Sequence, residues 1–195
     1  MKYLFIGDSV TDCDRLAYPP LGTGWVNEIA KSGKVNGEIQ NVGISGNRLV
    51  DLAKRWNQDV IENKPTTLTI NIGINDTWRR YDDNDPTSTE AFSDLFDQLL
   101  NETTSKIDLE LVLCEPFLLH VRPEMLTWRE DLDPKIEVIH NLASKYQAKL
   151  VKFDQILSAE AEKIGILDLA EDGIHPTELG HKLMAKTWLR EVLGS

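Results

Sequence analysis

Short apolar runs alternate with longer amphipathic segments along the chain. Five runs have the length and flanking turn residues of buried strands, and they cover residues 2–6, 37–42, 67–72, 109–114 and 149–153. Apolar residues at helical spacing predict helices over 47–63, 89–104, 134–147 and 177–193. Strands that alternate with helices are typical of a parallel sheet covered on both faces. We therefore predict a flavodoxin-like three-layer α/β/α sandwich with a five-stranded parallel sheet, in strand order 2-1-3-4-5.

One helix boundary has a specific start signal. Asp133 precedes Pro134, and an N-cap residue followed by proline predicts that a helix begins there. Residues 76–88 and 115–133 then remain as long connections, which in a compact protein are usually functional. The chain has 195 residues, the size of a single domain, so we expect 1–195 to be one domain.

Charge narrows the classes of partner. The chain holds 21 Lys and Arg against 32 Asp and Glu, a formal net charge of -11. A surface this acidic repels phosphate backbones and anionic lipid, so we expect neither nucleic-acid nor membrane binding. The apolar segment before Gly7 is too short for a signal peptide, and no run approaches the ~20 residues of a membrane span. We therefore expect a cytoplasmic protein.

Neither the cysteines nor the acidic runs form a metal-binding pattern. Cys13 and Cys114 stand far apart and outside any CxxC pair, so we expect two reduced thiols and no zinc site. The acidic run at 82–85 lacks the glycine and the terminal glutamate of a calcium loop. We expect it to be solvated.

Polar residues follow the strands at the edge where an open parallel sheet binds its ligands. They are Gly7-Asp8-Ser9 after the first strand, Asn41-Val42-Gly43-Ile44-Ser45-Gly46 after the second, Gly73-Ile74-Asn75-Asp76 after the third, and Asp172-Gly173-Ile174-His175-Pro176 after the fifth. In the predicted order the first three strands are neighbours. Their loops are therefore expected to converge on one patch.

The residue types at this patch suit acyl transfer. Ser9 is the candidate nucleophile, and His175 is the base that a serine hydroxyl needs. Asp172 lies three residues before His175 and is expected to fix its tautomer and stabilise the imidazolium. The backbone N–H groups of Ser9 and Gly43 and the side-chain amide of Asn75 are the candidate donors to an oxyanion.

The four blocks resemble those of the SGNH (GDSL) hydrolase superfamily, which carry Ser, Gly, Asn and His. They stand here as Ser9 in GDSVTD, Gly43 in NVGISG, Asn75 in GIND, and His175 with Asp172 in DGIHP. The resemblance implies the sandwich fold, a Ser–His–Asp triad, no cofactor, and hydrolysis of esters or thioesters.

A narrower resemblance concerns the substrate. Residues 21–25, 43–56 and 74–82 are similar to bacterial GDSL carbohydrate acetylesterases, including acetylxylan esterases, which implies a small acyl ester, chiefly an acetylated sugar, as substrate. The match departs at Leu169-Ala170-Glu171, just before the candidate aspartate. One alternative is a broad acyl hydrolase, a lysophospholipase or thioesterase, with an apolar groove from residues 115–133. Another is a non-enzymatic flavodoxin-like binding protein.

Other residues are weaker candidates. Ser45 is a rival nucleophile, but Asn47 stands where the Gly-x-Ser-x-Gly elbow needs glycine, so Ser45 is expected to be structural. Trp78 follows the Asn75 block and fits substrate contact and packing equally well. Trp56 is expected in the core. His120 follows the fourth strand, and lining of the cleft is the less favoured of its two interpretations; His140 and His181 are assigned to solvated or capping positions. The five tryptophans leave a homo-oligomer open.

Overall fold

The parallel sheet has the predicted strand order. The computed structural model describes residues 1–194. Its strands are β1 (Lys2–Gly7), β2 (Glu38–Asn41), β3 (Thr67–Asn71), β4 (Glu110–Cys114) and β5 (Lys149–Val151). All neighbouring strands are parallel, and their order is β2-β1-β3-β4-β5. The predicted fold class is confirmed.

Helices connect the strands. They are α1 (Ser9–Asp12), α2 (Trp25–Lys31), α3 (Leu49–Trp56), α4 (Ile74–Asp82), α5 (Thr89–Lys106), α6 (Met125–Lys145), α7 (Phe153–Ile164), α8 (Ile166–Leu169) and α9 (Glu178–Leu193). A π-helical turn over Asn57–Ile61 continues α3, so the helix predicted over 47–63 is present in two forms. Within residues 1–194, no helix combines the length and the apolar character needed to cross a bilayer.

The sheet separates two hydrophobic cores, because successive side chains of a strand point to opposite faces. In β1, Leu4 and Ile6 pack among residues of α3, α5 and α6, whereas Tyr3 and Phe5 pack among residues of α2, α7 and α9. Trp56 lies in the first of these cores, as predicted. The helices cover both faces of the sheet, and the candidate residues follow the strand ends.

The helix predicted to start at Pro134 begins much earlier. Helix α6 starts at Met125 and contains Pro134, so Asp133 is not its N-cap. Met125 and Trp128 are buried and extend the apolar stripe of the helix to the N-terminal side of the proline. This burial outweighs the hydrogen bond that proline cannot donate.

The two long connections are shorter than predicted. Helix α4 occupies most of the segment assigned to the loop 76–88, and α6 takes up the second half of 115–133. The buried side chains of α4 include Asn75, Asp76 and Thr77, so its buried face is largely polar and leaves no apolar periodicity. Helices α1 and α8 have four residues each, too few for a periodic pattern to identify.

Candidate active site

Ser9 lies at the carboxyl end of β1, in the first turn of α1. Asp8 caps this turn, because its Oδ1 accepts a hydrogen bond from the Val10 N–H at 3.0 Å. Strand β1 ends at Gly7, where an ideal Cβ would lie 2.2 Å from the carbonyl oxygen of Asn71 in β3. Only glycine allows this approach, so Gly7 lets the chain turn at the sheet edge and present the serine.

A chain of hydrogen bonds joins Ser9, His175 and Asp172. Ser9 Oγ lies 2.9 Å from His175 Nε2, and Asp172 Oδ2 lies 2.6 Å from His175 Nδ1. Asp172 Oδ1 also accepts the backbone N–H groups of Ile174 and His175, at 2.9 and 2.8 Å. The carboxylate thus orders the loop and holds the proton on Nδ1. Nε2 is left to accept the Ser9 hydroxyl proton.

The hydrogen bonds set the charge states of this pair. The bond to Asp172 raises the pKa of His175 above its ordinary value of 6.5, although burial acts in the opposite direction. Burial raises the pKa of the Asp172 carboxyl, but the hydrogen bonds from the His175 ring and from two backbone N–H groups lower it further, to well below its usual range. Asp172 is therefore ionised throughout the range in which His175 titrates.

Asn75 lies in the first turn of α4, at the carboxyl end of β3. Its side chain is buried, and Nδ2 donates to the Asn47 carbonyl at 3.1 Å. An amide has two N–H groups, so a second donor is available to a ligand. Gly73 precedes this turn with φ of 127°, a conformation that favours glycine.

The turn after β2 uses its N–H groups differently from the prediction. The Gly43 N–H donates to Asn41 Oδ1 at 2.9 Å, so it is already engaged. Glycine is needed at position 43 for another reason: an ideal Cβ would lie 2.5 Å from the Asp12 nitrogen. Among residues 1–194, the Gly46 N–H has no hydrogen-bond partner, whereas the other N–H groups of residues 43–48 are all bonded. The available backbone donor of this turn is therefore that of Gly46.

Three charged side chains that the sequence analysis missed hold this turn in place. Asp12 Oδ2 accepts both the N–H and the hydroxyl of Ser45, at 3.0 and 2.7 Å. Arg15 Nε donates to the Gly43 carbonyl at 2.5 Å. Arg55 donates through Nη1 to the Val42 carbonyl at 2.7 Å and through Nη2 to the end of β1. Such bonds to the backbone leave no sequence motif.

An aromatic stack lies beside His175. The Trp78 ring is partly exposed, and its centroid is 6.1 Å from that of the histidine ring. Trp128 lies 6.0 Å from Trp78, and Tyr81 stacks on Trp128 at 5.1 Å with an angle of 9° between the planes. Packing therefore fixes Trp78 at the edge of the site.

The other histidines have different surroundings. His120 lines a separate cavity with residues of α7 and does not border Ser9. His140 Nε2 lies 2.6 Å from the carboxylate of Glu115. The prediction that His181 is solvated or capping is wrong: its Nε2 lies 3.6 Å from the Cys13 sulfur, and burial lowers its pKa to about 4.

Ser9 opens onto a depression of about 380 Å³. Its lining includes the polar side chains of Asp14, Thr23 and Ser45, together with Cys13. Both cysteines are free thiols, and burial, with the nearby carboxylates of residues 8, 12 and 14, raises the pKa of Cys13 to about 12. Of the apolar side chains that the sequence suggested as an acyl groove, Phe117, Leu118, Leu119 and Met125 are buried, whereas Leu126 is exposed.

Comparison with known proteins decides the family. The model of the GDSL-like lipase/acylhydrolase family matches residues 5–183. The chain belongs to this family. An acetylxylan esterase of Geobacillus stearothermophilus is 32% identical over 205 residues, which cover 98% of this chain and 93% of that protein. As a GDSL family member with this relative, the protein is a carboxylic ester hydrolase.

Solved structures share the whole fold of this GDSL hydrolase. A protein described as a GDSL-like lipase from Parabacteroides merdae has a TM-score of 0.93 and 29% identity, and the match covers 100% of this chain and 96% of that one. The acetylxylan esterase Axe2 of Geobacillus stearothermophilus has a TM-score of 0.86 and 31% identity, covering 97% and 93% of the two chains.

The pKa values of the two histidines at the site are expected to be shifted in opposite directions. In an NMR titration, His175 should gain its proton at a pH above 6.5, and Asp172→Asn should lower that pKa because the carboxylate is lost. His181 should stay neutral down to about pH 5, since its pKa is lowered to about 4. A His175 resonance that titrates below 6.5 in the wild-type protein would contradict the hydrogen-bonded pair.

Proposed function

We propose that the protein is a serine esterase that removes short acyl groups, chiefly acetyl, from acylated sugars. The observation that carries the proposal is the hydrogen-bonded series Ser9–His175–Asp172 in a GDSL hydrolase. Within the described part of the chain, the Gly46 N–H and one N–H of the Asn75 side chain remain unengaged and are the donors that join the Ser9 N–H. Nucleophile, base and orienting carboxylate are all at hydrogen-bond distance, as acyl transfer through a serine requires.

In the first half-reaction, Ser9 Oγ attacks the ester carbonyl as its proton passes to His175 Nε2. Asp172 stabilises the imidazolium that forms. The carbonyl oxygen becomes an oxyanion, which the N–H groups of Ser9, Gly46 and the Asn75 side chain stabilise. Gly46 takes the place first assigned to Gly43, because the Gly43 N–H is bonded to Asn41. His175 then gives its proton to the leaving alcohol, and an acyl-Ser9 ester remains.

In the second half-reaction, His175 accepts a proton from water, whose oxygen attacks the acyl carbonyl. The same donors stabilise the second oxyanion. When it collapses, the Ser9–acyl bond breaks and Oγ takes the proton back from Nε2. The products are the carboxylic acid and the free enzyme, so no further reactant is needed.

Variants of the relative Axe2 support the triad. Structures described as catalytic mutants of Axe2 replace a serine, an aspartate or a histidine by alanine. The aspartate and the histidine of that protein lie three residues apart, as Asp172 and His175 do here. A tryptophan directly precedes the aspartate in Axe2, whereas Glu171 precedes it in this chain. In this chain, Trp78 is therefore the residue that we expect to supply the aromatic surface at the site.

Charge and shape favour a neutral sugar ester over a lipid. A protein with a formal charge of -11 repels anionic phospholipid surfaces. Trp78, partly exposed and backed by Trp128, offers an aromatic platform for an uncharged ring. Phe117 and Leu119 are buried and do not line the depression at Ser9, so they offer no apolar surface there to a long acyl chain. Axe2 itself is described as an acetyl-xylooligosaccharide esterase, which agrees with this substrate class.

Removal of the nucleophile is the direct test of the triad. Ser9→Ala is expected to lower kcat for 4-nitrophenyl acetate by about 10³–10⁶, because the residues of a triad act as a unit. Ser45→Ala is the matched control: its hydroxyl is bonded to Asp12, so its loss should change kcat far less. If Ser9→Ala keeps more than about a tenth of wild-type activity, Ser9 is not the nucleophile.

The Asn75 amide is expected to act on the transition state. Asn75→Ala should lower kcat by about 10²–10³ with little change in KM, because one oxyanion donor is lost. Steady-state kinetics and the melting temperature are measured on the same preparation to separate chemistry from folding. A variant that only raises KM would make Asn75 a substrate-binding residue instead.

The enzyme is expected to hydrolyse acetyl esters faster than esters of longer acyl chains. A depression with polar walls offers little of the ~0.8 kcal/mol that each buried methylene can contribute. The ratio kcat/KM should therefore be higher for acetyl than for octanoyl esters, and sugar peracetates should release acetate, with the Ser9→Ala protein as blank.

Trp78→Ala distinguishes the sugar from the acyl group in the same series. It should raise KM for a sugar peracetate and leave 4-nitrophenyl acetate almost unchanged, since only the sugar is expected to use the platform. A maximum of kcat/KM at octanoyl or longer esters would instead support the lysophospholipase or thioesterase alternative.

A further inference from the structure

Asp76 is a buried carboxylate that the proposed reaction does not use. It follows Asn75 directly in α4, and it is fully buried. Its Oδ2 accepts the Leu49 N–H at 3.1 Å, and its Oδ1 has no partner at hydrogen-bond distance among residues 1–194. An unfilled acceptor on a buried carboxylate costs stability, so its presence calls for an explanation.

The carboxylate of Asp76 caps a helix from outside that helix. Leu49 is the first residue of α3, and its N–H is one of the groups that a helix leaves without an internal partner. The neighbouring N–H, that of Arg48, donates to Asp51 within α3. Asp76 thus supplies from α4 an acceptor that α3 does not supply for Leu49.

Two consecutive residues of α4 therefore hold the turn that carries Gly46. Asn75 Nδ2 donates to the Asn47 carbonyl at 3.1 Å, and Asp76 Oδ2 accepts from Leu49 at 3.1 Å. These bonds attach the turn on its α3 side, immediately after Gly46. Gly46 itself has φ of 81° and no backbone bond of its own, so its orientation depends on the residues that flank it.

We propose that Asp76 is a positioning residue for the oxyanion site, because its bond to Leu49 fixes the Gly46 N–H relative to the Asn75 amide. The proposal rests on the oxyanion role given to Gly46 and Asn75 above. Burial disfavours a charge on the Asp76 carboxyl, whereas the Leu49 N–H and the cations Lys135 and Arg48 stabilise it. An ionised acceptor forms a stronger bond to Leu49 than a neutral one.

Two substitutions at position 76 separate positioning from packing. Asp76→Ala removes the acceptor and should lower kcat for 4-nitrophenyl acetate by about 10- to 100-fold, with KM within about twofold, because small displacements of a catalytic donor are costly. Asp76→Asn keeps a carbonyl oxygen for Leu49 and should restore most of the lost kcat. If both variants have wild-type kcat, or if Ala changes KM alone, the positioning role is wrong.

Thr103→Val is the matched control for an effect that comes only from a less stable α3. The Thr103 hydroxyl accepts the Nε1–H of Trp56, the last residue of α3, at 2.9 Å. Its loss leaves a buried donor unpaired at the end of the helix remote from Leu49, so the melting temperature should fall while kcat of the folded enzyme stays unchanged. A loss of kcat in Thr103→Val equal to that in Asp76→Ala would reduce the Asp76 effect to helix stability.

A double-mutant cycle tests the route of the effect. Because Asp76 acts through the oxyanion site, Asp76→Ala should cost less in an Asn75→Ala background than in the wild-type protein. Fully additive losses would overturn the positioning role and leave the role of Asn75 intact. An Asn75→Ala protein with wild-type kcat would overturn the oxyanion assignment itself, and the role of Asp76 with it.

Discussion

The close approach of three backbone segments is the constraint on which this site depends. Gly7 lies against the Asn71 carbonyl where β1 meets β3, and Gly43 lies against the first turn of α1. A side chain at either position would push the serine turn away from the neighbouring strand ends. The nucleophile and its candidate donors come from segments far apart in sequence. These close contacts bring the segments together, and they are possible because glycine has no Cβ atom.

Much of this arrangement could be predicted from the sequence, because the strands and the motifs carry strong local signals. Apolar runs bounded by Gly7 and Gly73 predict the sheet edge, and the three-residue spacing of Asp172 and His175 predicts that one loop delivers both. The donor of the second loop could not be assigned in the same way. Gly43 and Gly46 are both glycines in one turn, and only the bond from Gly43 to Asn41 shows which N–H is already used.

The start of α6 was not predictable for a different reason. Local preference places a boundary at Pro134, but the tertiary burial of Met125 and Trp128 decides it. The same limit applies to α4, whose polar side chains are buried by contacts with distant segments. Such contacts also raise the pKa of two carboxyls by burial, to about 7 for Asp8 and about 6 for Asp76. These two groups favour folding less as the pH rises, since the folded protein holds their protons to a higher pH than the unfolded chain.

The protonated state of Cys13 leaves Ser9 as the nucleophile of the site. Its thiol shares the depression with Ser9, and a thiolate there would be the stronger nucleophile. With a pKa of about 12, almost no thiolate exists at neutral pH, so the sulfur does not compete with the serine for the acyl group. Peroxides also react with thiolates rather than thiols. Burial of the thiol, reinforced by the nearby carboxylates, therefore keeps a cysteine in the nucleophile's own pocket in its less reactive form.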